Sequence, residues 1–261
     1  MAGTGVASAL AVQGRVVWAL MLREIHTLYG GDRLGYLWVI IQNSFGVAVF
    51  WGLRYFMGFK APHGMSVPAF LISGFMIWNI FSSLILKSVA AARGNQALLT
   101  FPQVTQIDLL LARAGVIVVT EVVVAVLLLA LSFYFGYPLD TPNWAGTLGA
   151  VALAAGLGLG LGGTLAALNI IMPILEKLLP MVFRILFFVS GIFFSLTAVP
   201  YGFRAYLAWN PALQLIEWLR VSLAPAYPAT YVNVPYLTLL SLITMTLGLL
   251  LERRVRRYAA G

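Results

Sequence analysis

The chain has 261 residues, of which 61% are hydrophobic and only 9% are charged, whereas a soluble domain carries about 25% charged residues. Such a chain cannot cover a soluble surface, and six membrane spans of about 20 residues each leave no room for a separate soluble domain. Cysteine is absent, which excludes disulfides and thiolate chemistry, and the two histidines, His26 and His63, are too far apart to form a recognisable metal motif. The net charge of +8 indicates basic residues that flank membrane spans rather than nucleic-acid binding.

The N-terminal segment does not have the form of a signal peptide, because Arg15 and Arg23 interrupt it. On a helical wheel, residues 12–28 place an apolar face opposite a polar face that includes Arg15, Arg23 and Glu24. The apolar face consists of Val17, Trp18, Met21, Leu22, Ile25 and Leu28. This pattern predicts an amphipathic helix, within residues 8–31, that lies in the headgroup region of a membrane.

Six apolar stretches are predicted to cross the membrane as helices, because in lipid only a helix satisfies its own backbone. They are residues 34–53, 61–86, 114–139, 141–175, 185–203 and a part of 221–251. With both termini in the cytoplasm, only Arg54, Lys60, Arg204 and Arg220 of the 16 lysines and arginines fall outside, which leaves 12 inside. That excess follows the positive-inside rule and agrees with an even number of spans.

Two connections have a distinct character. Residues 88–105 form the largest internal loop and are compatible with a helix until Pro102. Residues 200–231 are apolar and aromatic but are interrupted by Pro200, Pro211 and further prolines. The second stretch predicts short re-entrant helices that dip into the outer leaflet, where they need protein or a water-filled cavity around them.

Residues that suggest cofactor chemistry have simpler explanations. Gly158, Gly160 and Gly163 match a dinucleotide-binding fingerprint, but they lie inside a predicted span and are better explained as a face for close helix packing. The chain has no P-loop lysine motif and no catalytic constellation.

Glu121 is the one acidic residue well inside a predicted span, and two interpretations of it stay open. An intramembrane carboxylate is costly and often functional, which would suit a proton route. A hydrogen bond to a neighbouring helix, or a neutral carboxyl, is the alternative. A proton relay usually needs further partners at the same depth.

Residues 22–38, LREIHTLYGGDRLGYLW, closely resemble the N-terminal signature of the ABC-2 family of polysaccharide exporters. The branch that they resemble most exports group 2 capsular polysaccharides of Gram-negative bacteria. Asn95, Gln96 and Leu98 in the first internal loop and Trp209-Asn210-Pro211 before the last span add to the resemblance.

The resemblance implies an all-α integral membrane protein of the ABC-2, or type V, exporter fold. That fold has six transmembrane helices, an N-terminal amphipathic interface helix and periplasmic re-entrant helices before the last span. The whole chain, 1–261, would be one transmembrane domain in the bacterial inner membrane, with both termini cytoplasmic.

The resemblance also implies partners. Two copies of the chain would pair with two cytoplasmic ATPase subunits that bind ATP and Mg, so the chain itself would hold no cofactor or metal and would be a transport subunit rather than an enzyme. A periplasmic adaptor of the polysaccharide co-polymerase type and an outer-membrane polysaccharide export protein would continue the path.

The implied function is export of a lipid-linked acidic capsular polysaccharide through a channel between the two copies. The candidate residues for the channel and its mouth are Arg23, Arg33, Tyr36, Trp38, Phe45, Trp51, Phe187 and Phe194. The candidate residues for coupling to the ATPase are Arg93, Asn95, Gln96, Leu98 and Phe101. Most aromatic residues pack or lie at the interface, whereas those in a channel stack on the apolar faces of sugars.

Other functions remain as alternatives. In the same class are exporters of O-antigen, of teichoic acid or of a small-molecule drug. In a different class, an integral-membrane enzyme that acts on lipid-linked sugars would need convergent acids, histidines or metal ligands, of which the sequence offers almost none. A proton-coupled transporter would depend on Glu121.

Overall fold

The fold was obtained as a computed structural model, which describes residues 6–29, 35–58, 61–94, 106–137, 139 and 142–259. Within these ranges all regular structure is helical, and the all-α prediction is confirmed for them. The helices are α1 (Val6–Tyr29), α2 (Gly35–Phe56), α3 (Val67–Gly94), α4 (Gln106–Tyr134), α5 (Trp144–Ile171), α6 (Leu175–Val189), α7 (Tyr201–Leu207), α8 (Pro211–Leu223) and α9 (Val234–Ala259). Short 3₁₀ turns lie at Pro62–Gly64 and Leu196–Ala198.

Four helices of the described part are long and apolar enough to cross a membrane. They are α3, α4, α5 and α9, with apolar segments Val67–Ala91, Ile107–Tyr134, Trp144–Ile171 and Val234–Arg254. These helices overlap the predicted second, third, fourth and sixth spans. The 22-residue α2 overlaps the predicted first span, whose assignment as a span stays a prediction.

The predicted fifth span, 185–203, was wrong as one continuous helix. Helix α6 begins earlier than predicted, at Leu175, and ends at Val189. Gly191 follows with a φ of 76°, a left-handed conformation that costs glycine little. After the 3₁₀ turn at Leu196–Ala198, α-helical structure resumes only at Tyr201 of α7. An apolar run alone does not separate a helix from a buried turn, which is why the break was missed.

The core is built on α5, which packs against α3 on one side and α9 on the other. A Cβ atom added at Gly158 would stand 2.9 Å from the Cβ atom of Leu84 in α3, and one at Gly160 would stand 2.7 Å from the backbone nitrogen of Met245 in α9. Both distances are too short for a real side chain, so these glycines allow the close approach of the helices. The packing interpretation is confirmed at Gly158 and Gly160, whereas a Cβ atom added at Gly163 would stand 3.8 Å from the Cδ1 atom of Leu110, an ordinary contact.

Helix α1 packs on α4, and its exposed surface carries the apolar side chains Trp18, Leu22 and Ile25 together with Arg15 and Arg23. Trp18 is 61% exposed and Leu22 is 46% exposed, which fits a helix that presents this face to lipid. Glu24, however, turns inward from its predicted polar face and pairs with Arg113 of α4. The helical wheel could not indicate this partner, because Arg113 is 89 residues away.

Candidate functional site

The described channel candidates do not share one environment. Trp38 and Phe45 lie on the outer face of α2 and are 67% and 68% exposed. Trp51 is half buried and meets the ring of Tyr137 edge-on, with 5.6 Å between the ring centroids. Phe194 is partly buried in the connection after α6.

Other predicted residues are exposed or lie outside the described part. Arg23 is exposed on α1. Tyr36 and Arg93 lie in α2 and α3, but their side chains are outside the described part. The residues that lie wholly outside it are Arg33, Asn95, Gln96, Leu98 and Phe101. Their roles stay predictions.

An aromatic cluster joins α2, α3 and α6. Phe187 of α6 lies at its centre, with ring centroids 5.8 Å from Phe75, 5.8 Å from Trp78 and 5.3 Å from Phe193. Phe50 of α2 completes it, at 4.3 Å from Phe193. Aromatic pairs at these separations stabilise the contact between helices. Phe187 therefore packs against its own chain, and its place in a channel stays a prediction.

Exposed apolar residues near this cluster lie on α2 and α6. Ile41 and Phe45 of α2 are exposed, and so are Met181, Ile185 and Phe188 of α6. Phe183 is the one buried residue of α6, where it contacts the rings of α3. Both helices thus use a narrow strip to contact the core and present the rest of their surface outward.

Glu121 is held between three helices and is 7% exposed. Asn43 of α2 donates to its Oε1 atom at 2.7 Å, and Asn79 of α3 donates to its Oε2 atom at 3.2 Å. The carboxylate therefore makes helix-to-helix hydrogen bonds, as one of the two interpretations predicted. In lipid such bonds add to packing and fix the position of α2.

A buried polar network surrounds Arg220 of α8 and contacts Phe70, near the start of α3. The side chain of Arg220 is fully buried, and it donates to the backbone carbonyls of Gly191 at 2.8 Å, Ile192 at 2.9 Å and Phe194 at 3.2 Å. It also donates to the carbonyl of Phe70 in α3 at 3.2 Å and stacks over the Phe70 ring at 3.5 Å from the centroid. The non-helical segment after α6 thus gains partners for its carbonyls, which a buried backbone needs.

Glu217 supplies the charge that pairs with Arg220, at 3.2 Å and with 2% of its side chain exposed. The hydroxyl of Tyr227 donates to Glu217 at 2.8 Å, and Ser195 donates at 3.4 Å. Burial raises the pKa of the Tyr227 hydroxyl above its usual range, so it stays protonated and available as a donor. From the sequence, Arg220 was counted only as an outside charge; its spacing of three residues from Glu217 inside an apolar helix was the available signal.

The Trp209-Asn210-Pro211 motif begins α8. The Asn210 side chain accepts from the backbone nitrogens of Ala212 at 3.0 Å and Leu213 at 3.4 Å, which makes it the N-cap. Pro211 occupies the first turn, where a missing N–H costs nothing. Trp209 is 71% exposed, and its carbonyl accepts from the Tyr236 hydroxyl at 2.9 Å. The motif therefore starts α8 and ties it to α9.

The described residues contain no group of three or more histidines, aspartates and glutamates that could hold a metal ion. His63 instead contacts the Thr197 hydroxyl at 2.8 Å, with 5.1 Å between its ring centroid and that of Tyr227. The histidine thus joins the turn before α3 to the Arg220 network.

A sequence model of one membrane-protein family, described as the ABC-2 type transporter, matches residues 15–224. The chain belongs to the ABC-2 type transporter family. The match begins in α1 and includes all of α2 to α8, so it covers the exposed α2 and α6 surfaces as well as the Arg220 network. The resemblance seen in the N-terminal signature is confirmed.

Named capsule-export proteins are similar to this ABC-2 chain over almost their whole length. The polysialic acid transport protein KpsM of Escherichia coli is 32% identical over 246 residues, which cover 94% of this chain and 95% of the relative. The capsule polysaccharide export inner-membrane protein CtrC of Neisseria meningitidis serogroup B is 24% identical, with 92% and 91% covered. The inner-membrane protein BexB of Haemophilus influenzae, which is also named for capsule polysaccharide export, is 25% identical, with 97% and 94% covered.

Proposed function

We propose that this chain is the membrane subunit of an ATP-driven exporter that moves a lipid-linked capsular polysaccharide from the cytoplasm to the periplasm. The observation that carries the proposal is its end-to-end similarity to KpsM, which is named for polysialic acid transport, and to CtrC and BexB, which are named for capsule polysaccharide export. In this proposal the chain transports, and a separate cytoplasmic ATPase binds ATP and Mg.

The proposed topology has six spans in the inner membrane, with both termini cytoplasmic and α1 at the inner interface. The spans are α2, α3, α4, α5, α6 and α9, and α7 and α8 are re-entrant on the periplasmic side. The 15-residue α6 measures about 22 Å, less than the hydrocarbon thickness. Arg220 binds the carbonyls of the segment after α6, and this supports a non-helical passage at membrane depth.

The proposed channel lies between two copies of the chain and is lined partly by α2 and α6. Their exposed apolar and aromatic surfaces support this arrangement, because the core of one copy leaves them without a partner. Trp38 and Phe45 would offer ring faces to passing sugars, and basic residues such as Arg23 would attract an acidic polymer to the inner mouth. Weak contacts of this kind suit a polymer that must also leave each site.

Further partners complete the proposal. Residues 88–105, of which 88–94 are the last turns of α3, would contain the coupling helix that docks into the ATPase. A periplasmic adaptor of the polysaccharide co-polymerase type and an outer-membrane polysaccharide export protein would receive the polymer.

The test is deletion of the gene in the bacterium that encodes it, followed by measurement of surface and intracellular polysaccharide. Deletion should remove surface polysaccharide and leave it inside the cell, and the intact gene should restore it. Arg93→Glu and Phe101→Glu should reduce co-purification of the ATPase and export, whereas Arg253→Glu, an exposed basic residue at the other end of the chain, should not. Normal surface polysaccharide after deletion would refute the function; normal co-purification of both loop variants would refute the docking site.

A further inference from the structure

One guanidinium connects three helices near the end of α3. The Nε atom of Arg113 in α4 donates to the Glu24 carboxylate of α1 at 2.6 Å, and its Nη1 atom donates to the backbone carbonyl of Lys87 in α3 at 2.7 Å. Arg113 is 9% exposed, so solvent screens both contacts only weakly. The planar guanidinium fixes the directions of these two hydrogen bonds relative to each other, whereas the flexible amine of a lysine would not.

A second side chain binds the same part of α3 from the other side. The amide of Asn169 in α5 donates to the carbonyl of Val89 at 3.3 Å, and its oxygen accepts from the backbone nitrogen of Glu176 in α6 at 3.3 Å. Asn169 is fully buried. The end of α3 is therefore bound to α1 through Arg113 and to the start of α6 through Asn169.

We infer that Arg113 and Asn169 are positioning residues that transmit movement of the α3 end to the helices of the transport path. The inference depends on the proposed function, in which the loop after α3 docks into the ATPase. Helix α1 precedes α2 in the chain, and α2 and α6 are the helices that line the proposed channel. A displacement of α3 by the ATPase would therefore pull on α1 through Arg113 and on α6 through Asn169.

The α1–α4 interface offers a matched control. The Gln13 side chain of α1 donates to Asp108 of α4 at 2.5 Å, so it joins these two helices. A Gln13→Ala change thus weakens the docking of α1 on α4 and leaves the Arg113 connection to Lys87 in place. This variant therefore tests the docking of α1 on α4 separately from the transmission of movement through α3.

The decisive variant exchanges the two charges, Glu24→Arg with Arg113→Glu. The exchange restores an ion pair between α1 and α4, but a glutamate at position 113 cannot donate to the Lys87 carbonyl. Purified complexes with the ATPase should keep their assembly and ATP hydrolysis. Export per ATP hydrolysed should fall about tenfold, the size of an ordinary coupling between sites. Asn169→Leu replaces the amide by an apolar side chain of similar volume that has no donor. It should likewise keep ATP hydrolysis and lower export per ATP hydrolysed.

Three outcomes would overturn the inference. Recovery of normal export in the exchanged variant would show that only the ion pair matters. An equal loss in Gln13→Ala would show that docking of α1 is sufficient. A parallel loss of assembly, hydrolysis and export in the exchanged variant and in Asn169→Leu would show a purely structural role.

A spectroscopic measurement tests the inference without requiring the identity of the substrate. The chain has no cysteine, so spin labels can be placed at Ala19 of α1 and Ala90 of α3, both of which are exposed. ATP should change the distance between these labels in the wild type and not in the exchanged variant. The same change in both proteins would contradict the inference even if export itself is confirmed, whereas a deletion without effect on surface polysaccharide would contradict the proposed function alone.

Discussion

Replacement of Arg220 by methionine should destabilise the protein strongly. Methionine fills much of the same volume but removes all donors to the four backbone carbonyls and to Glu217, which stays buried with 2% of its side chain exposed. Removal of one partner of a buried ion pair costs about 3–5 kcal/mol, because the other charge is left uncompensated. At about 2–4 °C per kcal/mol for a chain of this size, the melting temperature should fall by roughly 10 °C.

The assay is thermal unfolding of the purified protein in detergent, followed by the loss of its monodisperse peak in size-exclusion chromatography. The double variant Arg220→Met with Glu217→Gln is the control, because it removes both charges. It should recover about 1–2 kcal/mol relative to Arg220→Met alone, as expected for residues in direct contact. The reasoning would be refuted if Arg220→Met kept the wild-type melting temperature. It would also be refuted if the stability lost by the double variant equalled the sum of the losses in Arg220→Met and Glu217→Gln alone.

Three other changes test separate parts of the structure. Gly160→Ala should destabilise the protein by about 1–3 kcal/mol in the same melting assay, because its Cβ atom would stand 2.7 Å from a backbone nitrogen of α9. Gly52→Ala is the control, because its added Cβ atom would meet nothing beyond its own stretch of helix within 4 Å, and it should be neutral or slightly stabilising. Glu121→Gln should leave export unchanged, because an amide oxygen still accepts a hydrogen bond from α2; loss of export with intact ATP hydrolysis would instead indicate a proton route. Trp18→Glu should detach α1 from the lipid surface and accelerate labelling of a nearby engineered cysteine by a water-soluble maleimide; an unchanged labelling rate would contradict the orientation of α1.

The sequence predicted the helical class, most span positions and the close packing at Gly158 and Gly160. It did so because lipid imposes simple requirements: about 20 apolar residues per span, a backbone bonded within its own helix, and small residues where helices touch. These requirements act locally along the chain. The N-terminal signature, residues 22–38, was specific enough to indicate the family, which the family match then confirmed.

The sequence could not predict which polar residues bind one another. Arg220 was counted as an outside charge, yet its partner Phe70 lies 150 residues away. Glu24 was assigned to an outward polar face, yet Arg113 holds it inward from 89 residues away. Such pairs depend on the relative positions of whole helices, and apolar periodicity carries no information about those positions.

The amino-acid sequence by itself determined that the described chain forms apolar helices and that the protein belongs to a family of membrane transporters. Only the tertiary structure decided where the fifth apolar stretch breaks. The stretch 185–203 has no charged residue, but Gly191 turns the backbone and Arg220 of α8 binds the carbonyls of the turn. A buried turn is stable because a donor from another helix satisfies its carbonyls, and folding of the whole chain brings that donor into place.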